Sequence, residues 1–193
     1  MLTVDPAARA LIFDIDGTLI DTMPLHQAAW KRVLAKHGVE ISDDYFMSRL
    51  GGHPSRRIVE IVNGEFKANL DAEEISREKD RAFVATATMV QPIRPVVDVV
   101  ERHHGVLPLG IATNETTGIA NMTLRAAGLS HYFSVMVTLD EIARPKPDPE
   151  VFLVCAERMG MDPAVCQVFE DSERGLEAAR NAGMIVTDVR VAL

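Results

Sequence analysis

No stretch of this chain approaches the run of roughly eighteen uncharged apolar residues that a membrane-spanning helix requires. The first residues also lack the basic, apolar and small-residue succession of a secretory signal. The expectation is a soluble, cytoplasmic protein with no membrane partner. Cysteine is scarce: Cys155 and Cys166 are the only two. Their spacing is not that of a metal site, and their residue type predicts burial as small hydrophobes rather than pairing. A basic stripe interleaved with aromatic residues is missing, which excludes a nucleic-acid partner. Internal repeats and low-complexity tracts are missing as well. What remains is a chain of 193 residues, 47% hydrophobic, long enough for one sizeable core, or for a core carrying a smaller second module.

Acidic residues predominate, with a formal net charge of −8, but the excess is uneven. Residues 23–90 carry ten acidic and ten basic side chains, whereas the remainder carries eighteen acidic and ten basic. Much of such charge serves solubility. Its distribution says more: a divalent cation suits the acidic part, and the neutral part, holding Arg56, Arg57, Lys79 and Arg81, suits an anionic substrate.

Residues 10–13, Ala-Leu-Ile-Phe, are a short continuous apolar run ending at Asp14, the pattern of a buried parallel strand that delivers an acid at its carboxyl end. Four later stretches repeat it, at residues 109–113, 135–138, 167–171 and 184–189. Helical patterns lie between them. One begins at Pro95 and reaches Gly105, a second runs from Ile119 to Ala127 before Gly128, a third opens at Pro149 and ends at Gly160, and Ser172 caps a fourth that Gly183 stops. Strands alternating with helices imply a three-layer α/β fold, a parallel sheet covered on both faces. Residues 23–90 break the alternation. Trp30, Val33, Leu34 and His37 share one helical face, Ile58, Val59, Ile61 and Val62 form an apolar stripe before Gly64, and Asp71 with Glu74 resembles a capping box. The expected organisation is a catalytic core of residues 1–22 and 91–193 with a helical insert at 23–90.

Asp14-Ile15-Asp16-Gly17-Thr18 places two carboxylates just beyond a strand, with Gly17 permitting a tight turn. A turn built on aspartates is the bland alternative, but the carboxyl ends of strands are where open parallel sheets bind ligands. Val168-Phe169 likewise runs into Glu170-Asp171. Four carboxylates converging from two strands would repel one another or take up protons, and a hard divalent ion such as magnesium is their natural counter-charge. Thr113-Asn114, at another strand end, offers a hydroxyl and backbone N–H groups as a phosphate cradle, or simply an ordinary helix cap. In Arg144-Pro145-Lys146-Pro147-Asp148-Pro149, three prolines stiffen the chain around one lysine, which could present its ammonium to a phosphate or simply be solvated.

These motifs carry a resemblance. Asp14-Ile-Asp16-Gly-Thr18, Thr113-Asn114, Lys146-Pro147 and Glu170-Asp171, in this order at strand ends, resemble the haloacid dehalogenase superfamily over essentially the whole chain. The stretch from Asp21 to His26, together with Trp30, Gly52 and Lys79, is most similar to its beta-phosphoglucomutase-like branch, which includes fructose-1-phosphatase-like proteins. The resemblance implies a Rossmann-like core with five parallel strands and a small helical cap inserted after the first strand. It implies Asp14 as nucleophile, forming an aspartyl-phosphate, and Asp16 as acid and base. It implies Mg2+ held by Asp14, the Asp16 backbone carbonyl, Asp171 and Glu170. Thr113, Asn114 and Lys146 would hold the transferring phosphoryl group and Thr18 would serve substrate binding. Thr22, His26, Gly52, His53, Ser55, Arg56, Arg57 and Lys79 of the cap would sense the rest of the substrate.

The expected activity is hydrolysis of a small phosphorylated metabolite, a fructose 1-phosphate-like or other hexose phosphate, by a monomer. A beta-phosphoglucomutase is the alternative. It is disfavoured because Ser55, in His53-Pro54-Ser55-Arg56, occupies the place where mutases present an arginine. Dehalogenation is disfavoured because Asp16 and the Glu170-Asp171 pair suit proton transfer and magnesium. A non-catalytic binding protein on the same scaffold would show a damaged site, whereas every catalytic position is filled.

Overall fold

The alternation of short apolar runs with helices becomes an open parallel sheet. A computed structural model of the protein describes residues 2–86 and 89–192. The chain divides into two compact units, one comprising Met1–Asp21 with Gln91–Leu193 and the other Thr22–Val90.

The first unit opens with β1 (Ala10–Phe13), followed by the short β2 (Ile20–Asp21). After the second unit the chain returns through β3 (Gln91–Pro92), which pairs antiparallel with β2 in a small ribbon of its own. The main sheet adds β4 (Leu109–Ala112), β5 (Val135–Val137), β6 (Cys166–Glu170) and β7 (Ile185–Asp188). Its order is β5-β4-β1-β6-β7, and every pairing is parallel. The central strands β1, β4 and β6 are buried throughout, so both faces of the sheet are covered. Four helices follow the strand signals: α5 (Arg94–His103), α6 (Thr117–Ala126), α7 (Glu150–Arg158) and α8 (Glu173–Asn181). One face buries Ala10, Ile12, Ala112, Val137 and Val168 against Val151, Phe152 and Cys155 of α7 and Ala178 and Ala179 of α8. Alternation along β1 and β6 sends Phe13 and Phe169 to the opposite face, where their rings stack 4.8 Å apart. Both cysteines are free and buried among apolar side chains, and burial pushes the Cys155 thiol up to about 12.

The second unit is helical: α1 (Met23–Lys36), the single turn α2 (Asp43–Tyr45) running into a π-helical turn at Phe46–Leu50, α3 (Ser55–Phe66) and α4 (Ala72–Val84). Trp30, Val33, Leu34, Phe46, Leu50, Ile58, Val59, Val62 and Ile75 make its core. The Asp71 side chain accepts the Glu74 N–H, the cap that its sequence position suggests. Gly64 does not stop α3, because a glycine weakens a helix without forbidding it. The helix runs on to Phe66, and Lys67 closes it in a left-handed conformation with φ 53°. Among the described residues no helix is long and apolar enough to cross a membrane.

Candidate active site at the carboxyl ends of the central strands

Pairing of β1 between β4 and β6 sets the chemistry, because the residues just past three adjacent parallel strands must come out together. Asp14 follows β1, and its N–H still donates to the Phe169 carbonyl of β6. Glu170 ends β6 and Asp171 follows it. Carboxylate oxygens of Asp14, Glu170 and Asp171 all lie within 4.8 Å of one another. Lys146 reaches the same place from the loop before α7, its Nζ donating at 2.7 Å to Asp14 Oδ1, at 2.7 Å to Glu170 Oε1 and at 2.9 Å to the Ala112 carbonyl that ends β4. Its ammonium also lies 4.8 Å from the Phe152 ring centroid. The Lys146-Pro147 peptide is cis.

Burial decides the electrostatics. It is the largest influence on Asp14 and pushes that carboxyl well above the ordinary range. Lys146 opposes the shift, while the charges of Glu170, Asp16 and Asp171 add to it. Asp171 is pushed up to about 6, first by burial and then by Glu170, against the hydrogen bond from Thr18. For Lys146 burial alone acts downward, yet Asp14 and Glu170 outweigh it and hold the ammonium above its usual range. Three clustered carboxylates against one ammonium leave negative charge uncompensated, and the donors are all hard oxygens. That set can hold a divalent cation.

Supporting residues fix each acid. Thr18 Oγ1 donates to Asp171 Oδ1 at 2.8 Å, so this buried threonine orients a carboxylate. Gly17 takes φ 81°, and a Cβ there would sit 2.3 Å from Asp171 Oδ2. Both the turn and the close approach therefore require glycine. Glu170 Oε2 accepts from the Ser172 N–H at 2.8 Å and from its hydroxyl at 2.9 Å, while Ser172 Oγ accepts the Gly175 N–H as the cap of α8. Thr113 is buried, and its Oγ1 accepts the Glu115 N–H. Asn114 Oδ1 accepts the Lys146 N–H at 3.1 Å, so this side chain holds the lysine loop in place. Asp16 follows β1 and is bridged through its backbone to Ile20.

Within the helical unit, Thr22 precedes α1 and is buried, and His26 of α1 stacks on Phe83 of α4 with centroids 4.1 Å apart. Lys79 is buried one turn away, its Nζ 5.4 Å from the same ring centroid and 3.4 Å from Asp80 Oδ1. Gly52 takes φ 73° in the turn that leads through His53 to Ser55, the first residue of α3. Arg56 and Arg57 are exposed on that helix and pair with its own Glu60. The structure thus gathers His26 and Lys79 about Phe83, and leaves Arg56 and Arg57 on a solvated face. Sequence reasoning passed over Phe83, Ser172 as a partner of Glu170, Gly175 and Arg174. Only Arg174 left a signal, a cation in the first turn of a helix.

The family model of the haloacid dehalogenase-like hydrolases matches residues 11–189, nearly the whole chain. The chain belongs to that family. Among its relatives is the fructose-1-phosphate phosphatase YqaB of Escherichia coli strain K12, 42% identical over 94% of this chain and 96% of its own length. The phosphorylated carbohydrates phosphatase of Thermotoga maritima is 35% identical over 91% of this chain and 82% of its own. Crystalline CbbY from Rhodobacter sphaeroides, in complex with phosphate, superposes with a TM-score of 0.85 over 94% of this chain and 86% of that one. At 24% identity, that likeness speaks to the fold. In this family member, then, the expected Rossmann-like α/β core is present, with Asp14, Lys146, Glu170 and Asp171 gathered at the carboxyl ends of its strands.

Proposed function

We propose that this hydrolase is a magnesium-dependent phosphatase of small sugar phosphates, with fructose 1-phosphate and related hexose phosphates as its substrate class and Asp14 as its nucleophile. The observation that carries the reading is the buried Lys146 ammonium, 2.7 Å from both Asp14 and Glu170. A nucleophilic carboxylate must be ionised, and burial works against that. A fixed ammonium beside it favours the charged form and offers a donor to a phosphoryl oxygen. The sugar phosphatases among its relatives supply the substrate class.

In this reading Asp14 attacks phosphorus and forms an aspartyl-phosphate while the ester bond to the sugar breaks. Asp16 gives a proton to the departing alkoxide, then takes one from the water that cleaves the aspartyl-phosphate and releases inorganic phosphate. Thr113, Asn114 and Lys146 hold the phosphoryl oxygens. Asp14, the Asp16 backbone carbonyl, Glu170 and Asp171 are the residues for Mg2+, which when bound offsets negative charge so that an anionic carboxylate can approach an anionic phosphate. Recognition of the sugar is assigned to the helical unit, with His26 and Lys79, ordered around Phe83, as its recognition groups. Two free buried thiols fit a reducing cytoplasm, and we infer a monomer.

A phosphomutase has less behind it. Such an enzyme must hold a second phosphate, and Arg56 and Arg57 are exposed and already paired with Glu60. The test is phosphate release from a panel of sugar phosphates, with and without Mg2+, for the unmodified chain and Asp14→Asn. Metal-dependent release that the substitution reduces by at least about 10³-fold supports the reading. Conversion of beta-glucose 1-phosphate to glucose 6-phosphate without free phosphate would replace it with the mutase.

A further inference from the structure

Three of residues 145–149 are proline, so this loop has only two backbone N–H groups with which to fasten itself. Asp148 N–H closes a turn onto the Pro145 carbonyl at 3.1 Å. Lys146 N–H goes outside the loop, to Asn114 Oδ1. The Lys146 carbonyl accepts from Arg174 Nη2, so Lys146 is tied by side chains at both of its backbone groups as well as at its ammonium. Stiff prolines limit the shapes that the loop can take, but they do not anchor it to the sheet. The anchors come from β4 through Asn114 and from α8 through Arg174.

The place of Arg174 runs against local preference. It is the second residue of α8, where the helix dipole and the uncapped N–H groups disfavour a cation. A residue that breaks a local rule at a site's edge has its reason in tertiary structure. Here the reason is a charged, forked donor on a carbonyl, a stronger hydrogen bond than a neutral side chain supplies.

We propose that Arg174 is a positioning residue of the phosphoryl-transfer site: its guanidinium fixes the Lys146 carbonyl and thereby keeps the Lys146 ammonium between Asp14 and Glu170. The inference rests on the reading of Asp14 and Lys146 as catalytic groups. It assigns to α8 a part in catalysis separate from the acids that precede that helix.

The test compares Arg174→Ala, Arg174→Lys and, as a control on the exposed end of the same helix, Arg180→Ala. Each is assayed with Mg2+ and fructose 1-phosphate, and hydrogen exchange of the Lys146 amide is followed by NMR. For Arg174→Ala we expect a fall in kcat of about tenfold or more with KM nearly unchanged, and exchange at Lys146 faster by a similar factor, the size of one lost charge-assisted hydrogen bond. Arg174→Lys should restore most of both, and Arg180→Ala should change neither. If Arg174→Ala folds poorly, Arg174→Gln replaces it as the weakened clamp. Unchanged kcat, or a kcat loss without faster exchange at Lys146, overturns the proposal. Faster exchange in a chain whose unmodified form hydrolyses no sugar phosphate would leave the clamp standing as structure and remove its role in catalysis together with the functional reading.

Discussion

Replacing Gly175 with alanine adds one methyl group and sets two effects of opposite sign against each other. Gly175 lies inside α8, where alanine is favoured over glycine by roughly 0.5–1 kcal/mol through backbone entropy. Propensity alone therefore predicts a more stable protein. The Cβ, however, would stand 1.8 Å from Glu170 Oε1, 2.0 Å from its Cδ and 2.5 Å from Oε2, overlapping the whole carboxylate. Ordinary contact begins near 3.4 Å, so the carboxylate would have to retreat by about 1.6 Å. Glu170 is 1% exposed and its two oxygens already hold Lys146 and Ser172, so a retreat costs at least one of those bonds. Each hydrogen bond to a charged group is worth about 1.5–3 kcal/mol, and the crowding itself costs about 1–3 kcal/mol. With one bond lost and the helix gain subtracted, Gly175→Ala should destabilise the protein by about 2–5 kcal/mol. At this chain length that lowers Tm by about 4–20 °C. Thermal unfolding followed by circular dichroism reads the shift, and Mg2+-dependent phosphate release should fall with it because Lys146 loses one of its two carboxylates. A variant as stable as the unmodified protein, with full activity, would refute the packing argument.

Lys146→Met strands two buried carboxylates without their ammonium, so a loss of about 3–5 kcal/mol in urea denaturation at pH 8 is expected. An unchanged midpoint would mean that Asp14 and Glu170 do not carry the charge assigned to them. The thiols give the pH dependence: burial pushes Cys155 up to about 12, and burial and then Asp162 push Cys166 up to about 11, from an ordinary value of 9.0. Both folded values lie above the unfolded one, so the stability contributed by the neutral thiols is complete below about pH 9 and is lost as pH rises toward 11–12. A urea midpoint that falls above pH 9 in the unmodified chain, and falls less in Cys155→Ala, checks this; equal slopes in the two would contradict it.

Local pattern carried far in this protein. The run Ala10–Phe13 became β1 with the bounds that its apolar residues suggest, and Ser172 caps α8 by accepting the Gly175 N–H. Such features were legible because a short apolar run, a capping residue and a terminal glycine act over a few residues, within reach of the sequence read along the chain. The acids at the strand ends were legible for the same reason, since a parallel strand and the residue after it are neighbours in sequence. The two-residue strands β2 and β3 carry no such local signal, because a pair so short is fixed by its partner across about seventy residues and hardly by its own composition.

Periodicity along the chain is enough for an α/β core with a helical insert, and for the residue types of the site, whose motifs point to the family. Tertiary structure alone decided the order β5-β4-β1-β6-β7, which brings Asp14 and Glu170 side by side. It also decided that the Lys146 ammonium bridges those acids, that Thr18 and Asn114 hold other site residues in place, and that Gly175 must leave room for Glu170. The physical reason is common to all of these. They are contacts between residues far apart in sequence, set by strand register and close packing, and neither leaves a period or a spacing in the chain.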